Sequence, residues 1–317
     1  MFYAGLSKDL MDKRLPLTNS IMSDYLVCAR RAYWQLVKGF EKPQTEAMSV
    51  GHAFHKGMEK RDPKAAVEAL GLEYATDQAE YDRQMILKTT VEHLVRHALK
   101  NWSLDDYEQV IPELEFALPI RNPKTGSMSR RFYLAGKLDG LVRSEKGWWL
   151  NEYKTTGQSV NRAYVDRLDL DLQVTTYWFA GQEYLMEHFN EGLEGILYRV
   201  ARKPSIRPRK NEALKEFLDR LINDFQERTD FYFKEIFVPR SQRHLEDFHK
   251  HLWDTAQLIN YSLREDLWPM NTQACNDYGQ CAFKPLCMRR DDAEYLYKKG
   301  GPTAELEFNM EGVDWFE

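Results

Sequence analysis

The stretch Leu134-Ala-Gly-Lys-Leu-Asp139-Gly-Leu-Val-Arg-Ser-Glu-Lys-Gly-Trp-Trp-Leu-Asn-Glu152-Tyr-Lys154-Thr155 decides the fold. Apolar and β-branched residues flank Ser144-Glu-Lys-Gly147, the pattern of a β-hairpin closed by a short polar turn. Residues two apart in a strand share a face, so Glu152 and Lys154 point the same way. A two- or four-residue loop sets Asp139 directly opposite Glu152, with opposed Cβ atoms about 5 Å apart. A three-residue loop with Gly147 in a bulge turns Asp139 to the other face and breaks this constellation.

Two carboxylates at that separation, with coordination positions left open, suit Mg²⁺ or Mn²⁺. Such a cation activates a bound water and polarises a phosphodiester. The Lys154 ammonium can orient the water or offset charge in the transition state. The pattern is short and its residue types are common. On its own it more often marks a solvated hairpin with an ordinary Lys–Glu pair, and other parts of the chain have to tip the balance.

They do so by resemblance. Asp139 and Glu152-Tyr-Lys154 resemble the core of the PD-(D/E)XK nucleases, and more narrowly their RecB-type branch, whose hairpins read G-x-x-D followed by (D/E)-Y-K-T. Gly136-Lys-Leu-Asp139 and Glu152-Tyr-Lys-Thr155 match. Upstream, Gly51-His-Ala-Phe-His55 is similar to the family's G-x-x-x-H helix; downstream, Gln173-Val-Thr-Thr-Tyr177 is similar to its Q-x-x-x-Y helix. Each motif is weak alone, but all of them occur in the family's order.

The resemblance implies a restriction-endonuclease-like α/β core, a central mixed sheet flanked by helices. It implies a metal held by His55, Asp139, Glu152 and the carbonyl of Tyr153. Lys154 would assist the water, and Gln173 and Tyr177 would position the strand near the scissile phosphate. A further acid often precedes the hairpin in this family, on the neighbouring strand. Pro112-Glu113-Leu-Glu115-Phe-Ala-Leu offers two, and the spacing to Phe116 favours Glu113 slightly.

Cysteine usage is the second signal. Cys275, Cys281 and Cys287 are evenly spaced near the C-terminus, and Cys28 lies near the N-terminus. The N-terminal Met-Phe-Tyr-Ala-Gly-Leu-Ser-Lys-Asp has no apolar signal core, so a cytoplasmic location is expected. There, thiols are more readily metal ligands than disulfide partners. Four thiolates suit a 4Fe–4S cluster or a structural zinc. The split layout resembles the AddB-like iron–sulfur nucleases, CRISPR adaptation nucleases and their phage relatives. Ser23-Asp-Tyr-Leu-Val-Cys28-Ala-Arg-Arg-Ala-Tyr33 fits their first-cysteine motif. The resemblance implies a cluster that pins the two ends of the nuclease domain together. The five residues between Cys275 and Cys281 depart from the commoner two, which keeps zinc as the alternative occupant.

The chain has 317 residues, 43% of them apolar, enough for a substantial core. No apolar run is long enough to span a membrane. A net charge of −5 argues against non-specific coating of DNA, so basic patches must act locally. Arg199 to Lys210, with two prolines and no acid, reads as an extended phosphate-tracking loop. Arg30 with Arg31, and Arg289 with Arg290, flank the outer cysteines. Abundant tyrosine and tryptophan would permit base stacking on single strands.

Periodicity predicts helices over 18–38, 44–60, 64–71, 76–101, 168–189, 211–230 and 241–263. Strands are predicted over 110–120, 131–143, 148–155, 194–202 and 231–239. The simplest organisation is one nuclease domain over 1–317, with its core at about 44–240, a helical N-terminal elaboration, and a cysteine cluster formed by 28 and 275–287.

The expected activity is a metal-dependent deoxyribonuclease, an exonuclease on single strands or duplex ends, in recombination, repair or DNA processing. The alternative is a non-catalytic iron–sulfur subunit that binds DNA ends within a recombination or CRISPR-adaptation complex. No phosphate-binding G-x-x-x-x-G-K-[ST] loop is present, so unwinding would come from a helicase or recombinase partner.

Overall fold

A computed structural model describes residues 2–5, 14–276, 279–288 and 293–300. Arg289, Arg290 and the acidic, aromatic C-terminal tail lie outside the described residues.

The hairpin forms as its sequence predicts. Strands β4 (Met128–Ser144) and β5 (Gly147–Thr156) meet through a two-residue turn, Glu145-Lys146. The register is Ser144↔Gly147 through Leu141↔Leu150. Beyond Leu141 the two strands part. Along its other edge β5 pairs in parallel with β6 (Leu193–Arg202) from Trp148 to Thr156, Glu152 against Tyr198 and Tyr153 against Arg199. On its other side β4 pairs antiparallel with β3 (Gln109–Arg121), and β7 (Phe233–Val238) closes the far edge against β6.

Two short strands extend the sheet beyond what periodicity indicates. β1 (Phe2–Gly5) lies parallel to β3, and β2 (Leu15–Leu17) lies parallel to β4. Part of the N-terminal region is therefore sheet, and only part is the expected helical elaboration. Three or four residues carry too little pattern to be read as strands.

Helices cover both faces of this mixed sheet. On one face lie α1 (Asn19–Val27), α7 (Leu172–Phe189) and α10 (Gln242–Glu265), sharing a core with Leu138, Leu141, Trp148 and Leu150. On the other lie α3 (Glu46–Lys60), α4 (Pro63–Glu68), α5 (Gln78–Asn101) and α8 (Leu214–Glu227), packed with Tyr153, Ala201 and Phe233. Local chemistry sets the ends. Thr45 caps α3 at the Met48 N–H, Asp77 caps α5, and Asp171 caps α7 at Gln173 and Val174.

Two predicted helices are interrupted. The helix over 18–38 breaks at Cys28, whose backbone is extended, before α2 (Ala29–Ala32) and a π-helical turn at Tyr33–Val37. The helix over 168–189 starts at Leu172, because Asp171 turns extended to cap it; a 3₁₀ turn (Arg167–Leu170) and α6 (Arg162–Asp166) precede it. A final short turn, α11 (Lys284–Cys287), and a helical turn α9 (Thr229–Tyr232) complete the helices used below.

Helix α3 presses closely on its neighbours at Gly57, where a Cβ would come within 2.6 Å of Ala66 and 2.7 Å of Val95. Gly57→Leu is expected to destabilise the fold by about 1–3 kcal/mol through overpacking, read as a lower urea midpoint with unchanged slope.

Candidate active site

Where β4 leaves β5, the gap is filled by a side chain. Asp139 Oδ2 accepts the Tyr153 backbone N–H at 2.7 Å, and Oδ1 sits 2.9 Å from His55 Nδ1. One carboxylate thus replaces a missing ladder bond and ties helix α3 to the sheet. His55 is brought here by the amphipathic spacing of α3, which buries Val50, Ala53, Phe54, Gly57 and Met58. His52, three residues earlier, is exposed.

Glu152 is 1% exposed, and its Oε1 meets Lys154 Nζ at 2.7 Å. The other carboxylate oxygen, Oε2, is buried with no hydrogen-bond partner among the described residues. The two side chains share a face, as alternation requires. Asp139 does not stand opposite Glu152 in a continuous ladder, however, because the ladder ends at Leu141↔Leu150. Its carboxylate reaches across to the next residue's N–H instead.

Burial pushes the Glu152 carboxyl up to about 7; Lys154 offsets part of this and Asp139 adds to it. Burial also opposes the charge on Lys154, but the acid beside it wins and the ammonium is held more firmly than usual. In the other pair, burial works against both charges. Asp139 nonetheless raises the His55 imidazole, and His55 lowers the Asp139 carboxyl.

Glu113 completes the rim. The β3–β4 ladder pairs Pro112 with Gly140 and Leu114 with Leu138, so Glu113 faces Asp139 across it. Its φ of 32° is in the left-handed region, rare for a residue with a side chain, and breaks the alternation that would put Glu113 and Glu115 on one face. Glu113 is ion-paired with Lys137 at 2.5 Å and lines a cavity of about 270 Å³ with His55, Glu59, Asp139 and Tyr153. Glu115 is buried and does not line it. The structure therefore places Glu113, the slightly favoured choice, beside the hairpin acids.

Gln173 and Tyr177 lie one turn apart on α7, with Gln173 Nε2 donating to the Tyr177 hydroxyl at 2.8 Å. The Tyr177 ring lies 6.0 Å from the Lys154 ammonium and edge-on to Phe116. All the residues read from the hairpin and the flanking helix motifs thus come together. Among the described residues, no three His, Cys, Asp or Glu side chains are gathered into a group able to hold a metal ion.

The cysteine segments also meet. Asn271 N–H donates to Cys28 Sγ, Arg31 Nε to Cys281 Sγ and Trp34 Nε1 to Cys287 Sγ, each at 3.3 Å. Cys275 Sγ lies 3.9 Å from the Asn271 carbonyl. All four are free thiols. Burial pushes the Cys287 thiol up, with Trp34 pulling it back and nearby Cys281 and Cys28 adding to the rise. Phe40, Phe283, Leu286, Ala293 and Tyr297 form a small core beneath them.

One expected element is corrected. Arg199 and Arg202 belong to strand β6, not to a phosphate-tracking loop. Arg199 is 2% exposed and bonded to Glu235, Asn151 and the Tyr107 hydroxyl. Arg202 stacks on Phe231 at 4.1 Å. Only the remainder, 203–209, runs without regular structure. The signal was available: Arg199 sits inside the apolar run Ile196-Leu-Tyr-Arg-Val-Ala, where a strand outweighs a basic loop.

A mixed sheet that commits its central hairpin to buried charge, where apolar residues would pack at lower cost, marks a class: an α/β nuclease core. The chain belongs to the PD-(D/E)XK nuclease superfamily, whose family model matches residues 16–288. No curated protein matches the sequence. Among solved structures, a "Putative exonuclease" from Eubacterium rectale is similar with a TM-score of 0.48 and 10% identity, over 86% of this chain and 92% of that one. Among the described residues, no helix is long and apolar enough to cross a membrane.

Glu152 gives a stability signature. Its ordinary value is 4.5 and its folded value about 7, so within that window the folded chain holds the extra proton. Stability then falls as pH rises, by at most about 1.4 kcal/mol per unit. Urea unfolding in EDTA between those pH values is expected to show this decline in the wild type and a flatter profile in Glu152→Gln.

Proposed function

We propose that this chain is a divalent-metal-dependent deoxyribonuclease of the RecB-type iron–sulfur branch, with residues 1–317 as one nuclease domain. We read its activity as exonucleolytic, on single strands or duplex ends, in recombination, repair or DNA processing beside a helicase or recombinase partner. The observation that carries this reading is the buried Glu152 carboxylate, ion-paired to Lys154 and with Oε2 unpartnered, next to the Asp139–His55 pair.

An unpartnered buried carboxylate oxygen costs free energy unless a ligand completes it. That orphaned atom and the hard oxygen donors around it fit Mg²⁺ or Mn²⁺. His55, Asp139, Glu152 and the Tyr153 carbonyl would hold the ion, with Glu113 as the additional acid. Bound there, it supplies Lewis-acid charge and a more acidic water.

The protein's own part is positioning. The Asp139 bonds to His55 and the Tyr153 N–H fix the acid's rotamer before substrate arrives. Lys154, held protonated, presents a cation to the attacking oxygen or the transition-state charge. Gln173 and Tyr177, already bonded to one another, form a polar edge that sets the strand beside it.

Cys28, Cys275, Cys281 and Cys287 would hold a 4Fe–4S cluster. Free thiols receiving N–H donors at three sulfurs support this, because such bonds tune cluster thiolates. The cluster's role is structural: it would tie the segment before α2 to the segment around α11.

Protein purified without oxygen is expected to cut end-labelled DNA with Mg²⁺ or Mn²⁺ and not with EDTA. Lys154→Ala should lower the rate about 10²-fold or more while DNA binding persists. Absence of cleavage on single and double strands, with binding retained, would move the assignment to a DNA-end-binding subunit. For the cysteines, iron and acid-labile sulfide are expected in the wild type and lost in Cys281→Ser together with thermal stability. A colourless protein carrying zinc would assign the site to zinc instead.

A further inference from the structure

A second cleft, of about 360 Å³, opens beside Lys154 and shares no lining residue with the first. Lys154, Thr155, Tyr164, Arg167, Gln173 and Tyr198 are among its lining residues. We propose that this cleft is a phosphate subsite for nucleic acid, in which Arg167 holds a backbone phosphate flanking the reacting one. The proposal rests on the nuclease reading above and names a binding residue that the hairpin and helix motifs do not contain.

The Arg167 guanidinium lies 3.9 Å from the Tyr164 ring centroid. Tyr164 is only 5% exposed, so the surface beneath the guanidinium is fixed. Arg167 itself is exposed and, among the described residues, forms no ion pair. Its planar fork of N–H donors is thus oriented by stacking and left without an anion, the state in which arginine takes a phosphate with least loss of entropy.

Its nearest basic neighbour on the same segment differs. Arg162 is 94% exposed and lies 3.7 Å from Asp166, an ordinary surface pair.

Charge in the cleft favours an anion. Asp171 is the acid in its lining, but that carboxylate is engaged in capping α7, accepting from the Gln173 and Val174 N–H groups. Lys154 is matched by Glu152, so Arg167 is the cation of the lining that has no ion pair among the described residues, while the Asp171 charge is directed at the α7 N–H groups.

The segment is also braced. Arg240, in the loop that follows β7, donates to the Leu168 carbonyl at 2.7 Å and to Thr175 Oγ1 at 3.0 Å, joining the 3₁₀ turn to α7. An arginine on such a support meets the requirement that binding groups sit on rigid elements.

The test is fluorescence anisotropy of a labelled single-stranded oligonucleotide in EDTA, over a series of KCl concentrations. Wild type, Arg167→Ala, Arg167→Lys and Arg162→Ala are compared, each first checked for an unchanged urea midpoint. Arg167→Ala is expected to bind about tenfold more weakly at low salt, with a log K against log salt slope shallower by about 0.7. Arg167→Lys should keep the slope and lose part of the affinity, because the charge remains but the fork does not. Arg162→Ala should match wild type.

The proposal is overturned if Arg167→Ala behaves like Arg162→Ala in both affinity and slope, or if the wild type does not bind. Failure of the underlying reading looks different. An Arg167-dependent slope in a wild type that cuts no DNA with Mg²⁺ or Mn²⁺ would sink the nuclease assignment and support the subsite. A wild type that cuts, with Arg167→Ala binding and cutting equally well, would sink the subsite alone.

Discussion

The bond between the Asp139 carboxylate and the Tyr153 backbone N–H is the interaction on which the rest of the site depends. Strands β4 and β5 part beyond Leu141↔Leu150, and that parting would strand a buried N–H of β5. Asp139 satisfies it and uses its other oxygen on His55. The same carboxylate therefore closes the sheet, fixes helix α3 against it, and is held in one rotamer at the mouth of the cavity.

The second constraint is electrostatic. Glu152 lies deep in the sheet, where desolvation disfavours its charge, and Lys154 returns only part of the cost. A hydrophobic pair at these positions would fold with less conflict. Retaining a buried acid with an unpartnered oxygen makes sense when the interior waits for a charged ligand. The left-handed backbone at Glu113 points the same way, since strain of about 1–3 kcal/mol persists where the surroundings impose it. The strained residue on β3 and the buried acid on β5 both lie beside Asp139 of β4.

Away from the hairpin, support comes from capping and bracing. Asp171 caps α7 and so fixes Gln173 and Tyr177 beside Lys154. Arg240 holds the preceding turn by its carbonyls. The buried Arg199, bonded to Asn151 and Tyr107, anchors β5 from behind. None of these touches the cavity acids, yet each removes a freedom that would blur their positions.

By itself the sequence determined the hairpin, the placing of Glu152 and Lys154 on one face, and the amphipathic helices carrying His55, Gln173 and Tyr177, while the two-residue length of the turn was settled by the structure. These follow from local rules: a period of two in strands, a period of 3.6 in helices, and turn chemistry. Only the tertiary structure decided that β4 and β5 part beyond Leu141, that Glu113 rather than Glu115 lines the cavity, and that the helix breaks at Cys28, whose sulfur accepts from the Asn271 N–H. It also decided that Arg199 is buried while Arg167, stacked on Tyr164, forms no ion pair among the described residues. Partners far apart in the chain settle such questions, because the cost of an unpaired N–H or a desolvated charge depends on what packs against it, and no local pattern records that.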